Sequence, residues 1–145
     1  MSGSAAQERE PERHTGYLIR RAQQRHVAAW TRIVSTEISS VQYSILVSLD
    51  RRGEASQREL CDDVDLDRST VADLVSRMEH RGLIQRRRDP ADARRNTVTL
   101  TERGLAERRR LAPLVAQVEH ELTGSLDADE RAALRRALRA LLAAG

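Results

Sequence analysis

The stretch Leu83-Ile84-Gln85-Arg86-Arg87-Arg88-Asp89-Pro90-Ala91-Asp92-Ala93-Arg94-Arg95-Asn96-Thr97-Val98-Thr99-Leu100 decides how the chain reads. Thr97 and Thr99 alternate with Val98 and Leu100, the period of a half-buried strand. Leu83-Ile84 opens a first strand that runs into Arg86-Arg87-Arg88, and Asp89-Pro90-Ala91-Asp92 supplies a polar turn. Two short strands joined this way form a β-hairpin. Its loop is long and rich in arginine, whereas a turn that only reverses the chain is short.

Upstream of the hairpin the texture is helical. Ser56-Gln57-Arg58-Glu59 fits a capping box and opens a short helix to about Val64 that buries Leu60 and Val64. The turn Asp65-Leu66-Asp67 leads to a second helix, about Arg68 to Arg81. Val71, Leu74, Val75 and Met78 line its inner face, while Arg68, Ser69, Asp73, Ser76 and Arg77 line the outer one; Gly82 stops it. Helix, short turn, helix, hairpin is the order of a winged helix-turn-helix. In that arrangement the second helix offers its N-terminal residues to base edges in the major groove.

Farther out, a helical pattern runs from about Arg13 to Val34. Ile19, His26, Val27, Trp30, Ile33 and Val34 fall in a stripe roughly 120° wide, read as a buried face, with Arg20 at its edge. Ser39 and Ser40 are N-cap candidates for a helix ending at Gly53. Thr101 caps a long helix, about Glu102 to Leu122, in which Pro113 predicts a bend near Leu111. Asp127 caps a last helix whose Leu134, Leu138, Leu141 and Leu142 form an apolar seam.

Composition fits this mainly α fold. Hydrophobic residues make up 39% of the 145 and aromatics only 2%, with no Phe, so the core is built from Leu, Val, Ile and Ala. All 25 basic residues are Arg, which partly reflects a GC-rich coding bias, and the net charge of +3 alone implies no partner. Its distribution says more. Between residues 81 and 110, ten Arg stand against Asp89, Asp92, Glu102 and Glu107, a local charge of +6 that leaves the remainder net acidic by three. Phosphate neutralisation is local, so this concentration on a hairpin points to double-stranded DNA. The expected contacts are Ser56, Gln57, Arg68, Ser69, Thr70, Asp73, Arg77, Arg88, Arg94 and Arg95, with arginine suited to guanine and Ser or Thr to bases or phosphates. The competing readings are a solvated arginine face and simple helix capping by Ser69 and Thr70.

The pattern Leu83-Ile84-x-Arg86-x-x-Asp89-Pro90-x-Asp92-x-Arg94-x-x-x-Val98-x-Leu100-Thr101-x-x-Gly104 resembles the signature of the MarR family of repressors, and the likeness extends from about Arg13 onwards. The resemblance implies that Arg94 enters the minor groove and that Asp92 orients it; a narrow, electronegative groove attracts a guanidinium. It also implies a homodimer through the N- and C-terminal helices, in keeping with the leucine seam, and a pseudo-palindromic operator. The other reading of the seam is packing within its own chain. The expected organisation is a disordered tail at 1–12 and one domain at 13–145. Within that domain, 13–51 and 102–145 form dimerisation and ligand helices, and 53–101 form the winged unit with a two-stranded wing.

Arg20, His26 and Trp30, with Ser39, Gln42 and Tyr43 at the start of the next helix, have the chemistry to hold a small hydroxylated aromatic acid. Arginine pairs a carboxylate, His and the hydroxyls hydrogen-bond, and Trp stacks. Core roles for Trp30 and His26 and a surface role for Arg20 compete with this. The segment Arg13 to Arg21, with His26 and Trp30, resembles the aromatic-acid-responsive branch of the same family. That likeness implies that Arg20 binds the carboxylate of an effector such as protocatechuate, with His26 nearby, and that the regulated genes serve aromatic-compound catabolism.

Other classes have little support. There is no G-x-S-x-G, P-loop or H-E-x-x-H, so an enzyme is not expected. His14, His26, His80 and His120 lack metal-ligand spacing, and neither metal nor cofactor is predicted. Cys61 is the only cysteine; its acidic neighbours Asp62 and Asp63 disfavour a reactive thiolate, leaving oxidant sensing as an alternative signal. A ligand-blind architectural DNA-binding protein is the other alternative. No apolar run is long enough for a membrane span and no signal peptide is evident, so the expected location is the cytoplasm.

Overall fold

The computed structural model describes residues 12–92 and 96–144, so the predicted tail through residue 11, and Arg94 and Arg95, lie outside it. The described residues form α1 (Thr15–Ile33), α2 (Ser40–Arg52), β1 (Glu54–Ser56), α3 (Gln57–Val64), α4 (Arg68–His80), β2 (Ile84–Arg88), β3 (Asn96–Leu100), α5 (Glu102–Thr123) and α6 (Ala128–Ala143).

Local chemistry explains most boundaries. Ser39 with Gln42, Ser56 with Glu59 and Asp127 with Glu130 each form a reciprocal capping box. Asp67 caps α4 by accepting the Thr70 N–H. Gly53 ends α2 at φ 82°, and Asp65 ends α3 in the left-handed region at φ 54°, where Asp is among the tolerated residues. The core lies where α2, α3, α4, β3 and α5 meet: Ile45, Leu46, Leu49, Leu60, Val71, Val75, Met78, Val98 and Leu111 are fully enclosed.

The base of the wing explains the Leu100-Thr101-x-x-Gly104 pattern. Thr101 caps α5 by accepting the Gly104 N–H at 3.0 Å, and its hydroxyl donates to the Gly82 carbonyl at 2.6 Å. A Cβ on Gly104 would lie 1.9 Å from the Leu83 carbonyl oxygen, so only glycine lets α5 sit this close to the start of β2.

Two expectations change. The wing sheet has three strands in the order β1-β3-β2, both pairings antiparallel, instead of two. β1 is only three residues long, too short to show alternation, and exists because Glu54, Ala55 and Ser56 pair with Thr99, Val98 and Thr97. Pro113 lies inside α5, which continues through it to Thr123. An interior Pro costs about 3 kcal/mol; burial of Leu111 and Val118, at roughly 2 kcal/mol each, offsets that cost. Finally, the α1 stripe is only half buried. Trp30 and Val34 are enclosed and Ile33 is partly buried, but Ile19 and Val27 are exposed, as is Leu18. The α6 seam does not pack within the chain either: Leu134, Leu138, Leu141 and Leu142 are 39–73% exposed.

Candidate nucleic-acid interface and effector region

An open groove of about 850 Å³ lies between α3, the N-terminal end of α4 and the wing. Its lining includes Ser56, Gln57, Arg68 and Ser69, four of the residues expected to meet DNA, together with Arg58, Cys61, Asp92 and Asn96. Capping interactions engage two of these side chains. Ser56 accepts the Glu59 N–H at 3.1 Å, and the Ser69 hydroxyl donates to Asp67 at 3.0 Å. Asp67 is held below the usual carboxylate range, chiefly by the Thr70 backbone N–H and then by the Thr70 and Ser69 side chains. Thr70 is exposed beside them. One and two turns on, Asp73 and Arg77 pair with each other at 3.2 Å on the outer face of α4. Arg88 is exposed at the tip of β2, opposite Asn96. Arg58 and Asn96 line the groove without being among the expected contacts, although Arg58 follows Gln57 on the same short amphipathic helix.

Not every wing arginine is free for phosphate. Arg86 is spent on Glu79 of α4: its backbone N–H donates to Oε2 at 3.1 Å, and its Nε and Nη2 donate to Oε1 at 3.2 and 2.9 Å. The Arg86 side chain is the main reason the Glu79 carboxyl sits below the usual range. Cys61 lines the groove half-buried and packs against the core. Asp63 instead binds back to α2. It accepts from Arg52 Nε at 2.7 Å, from Arg52 Nη2 at 2.8 Å and from the Ser48 hydroxyl. The Arg52 and Ser48 hydrogen bonds hold it well below the carboxylate range.

The six residues expected at an effector site fall into three groups. His26, Trp30 and Tyr43 form a row of tilted ring contacts, with ring centroids 6.0 and 5.8 Å apart and tilts of 55° and 58°. Trp30 is buried and its indole N–H donates to the Ile38 carbonyl at 2.7 Å. Ser39 and Gln42 are engaged in the α2 capping box, the Ser39 N–H donating to Gln42 Oε1 at 3.0 Å. Arg20 stands apart, about 120° round α1 from His26 and ~9 Å along it. Its guanidinium lies over the Tyr17 ring, and it borders a shallow groove with Gly16, Ile19, Gln23 and Val27. At the far end of the aromatic row, Arg108 of α5 donates to the Tyr43 hydroxyl at 2.7 Å, lies over the Tyr43 ring, and pairs with Asp50 at 3.5 Å. That cation was invisible in the sequence, because 65 residues separate Arg108 from Tyr43.

Among the described residues no helix is long and apolar enough to cross a membrane. Comparison with known proteins agrees with this architecture. A profile described as "MarR family" matches residues 38–95. The HTH-type transcriptional repressor NicR of Pseudomonas putida is 35% identical over 88% of this chain and 81% of its own. The PcaV transcriptional regulator of Streptomyces coelicolor, solved with its natural ligand, is 40% identical, with a TM-score of 0.87 over 91% of this chain and 94% of that one. BpsR of Bordetella bronchiseptica, whose DNA binding is regulated by 6-hydroxynicotinic acid, is 32% identical, with a TM-score of 0.81 over 87% of this chain and 96% of that one. The chain belongs to the MarR family of winged helix-turn-helix transcriptional regulators.

Proposed function

We propose that the protein is a homodimeric repressor that holds a pseudo-palindromic operator with two winged units and releases it when a small aromatic carboxylic acid binds. The groove between α3, α4 and the wing carries the DNA half of this reading. It gathers Ser56, Gln57, Arg68 and Ser69, and Arg88 stands exposed at the end of β2. Arg94 and Arg95 extend the same wing in sequence. The exposed leucines of α6 and the exposed Leu18, Ile19 and Val27 of α1 support pairing of two protomers through residues 13–51 and 102–145, since separate apolar strips of this kind mark interaction surfaces. Two reading heads on a two-fold axis then match a two-fold operator.

The effector half rests on the row His26–Trp30–Tyr43 and the cations at its margins, Arg20 and Arg108. A hydroxylated aromatic acid offers a ring to stack, a carboxylate for an arginine and hydroxyls for His26 or Tyr43. BpsR, regulated by 6-hydroxynicotinic acid, takes an effector of this class, and protocatechuate is the first compound to try here. Release follows if the acid binds the non-DNA state more tightly than the DNA-bound one. The regulated genes would then serve aromatic-compound catabolism, with the protein acting in the cytoplasm.

Calorimetric titration of protocatechuate and 6-hydroxynicotinic acid into the wild type and Arg20→Ala tests this. Micromolar-range binding by the wild type, lost in the variant, is expected. Absence of heat with every hydroxylated aromatic acid sinks the effector half and leaves the DNA half standing. The DNA half is tested by Arg94→Ala, which should weaken operator binding at least tenfold; unchanged affinity counts against wing insertion.

A further inference from the structure

Trp30 is the only tryptophan of the chain, and its indole N–H is tied to the loop between α1 and α2 at the Ile38 carbonyl. That loop is stiff. The Ser35 hydroxyl oxygen accepts the N–H groups of Glu37 and Ile38, both at 2.9 Å; Ile38 is buried; and Ser39 begins the α2 capping box. Glu37 points the other way, across a cleft of about 460 Å³ that separates the loop from the C-terminal end of α4. Arg81, the first residue after α4, spans the cleft. Its Nη1 donates to the Glu37 backbone carbonyl and its Nη2 to the Glu37 carboxylate at 2.9 Å. Elsewhere α4 packs on α3 and β2, and its Val71, Val75 and Met78 join the core shared with α2. The opposite end of α4, about 20 Å away along thirteen residues, lines the DNA groove with Arg68 and Ser69.

We propose that Arg81 is a positioning residue that couples the aromatic row of α1 and α2 to the recognition helix α4, through Trp30, the Ile38 carbonyl and Glu37. A change at Trp30 moves the loop by its carbonyl, and the loop carries the rear end of α4 through Arg81. Coupling of this kind is reciprocal, so DNA seated against α4 must be felt at Trp30. The weight of the link lies in the guanidinium's grip on the backbone carbonyl, because the Glu37 carboxylate is 77% exposed and such pairs are weak. The proposal rests on the effector site above for what pulls on Trp30, yet its test needs only DNA.

The probe is a duplex selected by the protein itself from a random-sequence library, with binding followed by anisotropy of the labelled duplex and the loop by Trp30 emission. Saturating duplex should shift Trp30 emission in the wild type and in Glu37→Gln, which keeps the carbonyl contact. In Arg81→Met, at duplex concentrations raised until anisotropy saturates, the shift should fall below a fifth of the wild-type value. Arg81→Lys, which keeps the charge but loses the two-pronged grip, should at least halve it and covers the case in which Arg81→Met folds poorly. A full-sized shift in both Arg81 variants, or no shift in the wild type, overturns the proposal. A failed aromatic-acid titration with the Trp30 result intact overturns only the effector reading.

Discussion

Replacing Arg86 by Gln should weaken DNA binding without changing its salt dependence, although Arg86 stands in a run of three arginines on the wing, Arg86-Arg87-Arg88. Each phosphate neutralised by an arginine adds ~0.9 to the slope of log affinity against log salt. A two-fold dimer doubles this, so losing one contact per protomer lowers the slope by about 1.8. Arg87 and Arg88 are exposed, and Arg87→Gln and Arg88→Gln should each lower the slope by about that amount. Arg86 instead gives its side chain and backbone N–H to Glu79, with the two side chains 31% and 36% exposed. That geometry lies between an exposed pair, worth up to ~1 kcal/mol, and a hydrogen-bonded charge, worth ~1.5–3, so about 1.5 kcal/mol is expected. Its loss frees the wing to pivot on α4. Arg86→Gln and Glu79→Gln should therefore each cost about 1.5 kcal/mol in urea unfolding and lower operator affinity severalfold, with the double variant no worse than either single one. The assay is operator binding by anisotropy at four or five salt concentrations for all five proteins and the wild type. A fall in slope for Arg86→Gln equal to that of Arg88→Gln, or additive costs in the double variant, refutes the reasoning.

Gly104→Ala gains about 1 kcal/mol of helix propensity. It must also push α5 more than an ångström off the Leu83 carbonyl, so a net loss of about 2–3 kcal/mol in urea unfolding is expected; an unchanged midpoint contradicts the close approach. Asp63 is ionised in the fold well below the usual range, so its contribution, about 2 kcal/mol, is complete above about pH 5 and fades as pH falls through about 4 and below. The stability gap between wild type and Asp63→Asn should narrow accordingly, and an equal gap at pH 6 and pH 3.5 goes against it. Leu138→Glu places a charge within the exposed seam and should turn the proposed dimer into a monomer in sedimentation at micromolar protein; a dimer that persists moves the interface elsewhere.

Much of the architecture was legible because the signals were local. A cap and its N3 partner lie three residues apart, a glycine stop lies at the helix end it makes, and Thr97 to Leu100 alternate within one strand. The motif from Leu83 to Gly104 was legible in part for the same reason, since Thr101 caps α5 at Gly104 three residues on, whereas its bond to Gly82 joins residues 19 apart. The candidate DNA surface followed from the same short-range logic, because an amphipathic helix declares its outer face.

What the sequence by itself determined, then, is the order of elements, their caps and the face each turns outward, all set by interactions spanning a few residues. Tertiary structure alone decided the rest. β1 exists only because β3 pairs with it, and α5 passes through Pro113 because Leu111 and Val118 are held in a shared core. The stripe of α1, which packs on α5, divides into a buried half around Trp30 and Val34 and an exposed half around Ile19 and Val27. Partner choice among charges was equally hidden. Arg86 goes to Glu79, Arg108 to Tyr43 and Arg81 to Glu37 across separations of 7, 65 and 44 residues, and 25 arginines that read alike in sequence are told apart only by which carboxylate, ring or carbonyl the folded chain sets beside them.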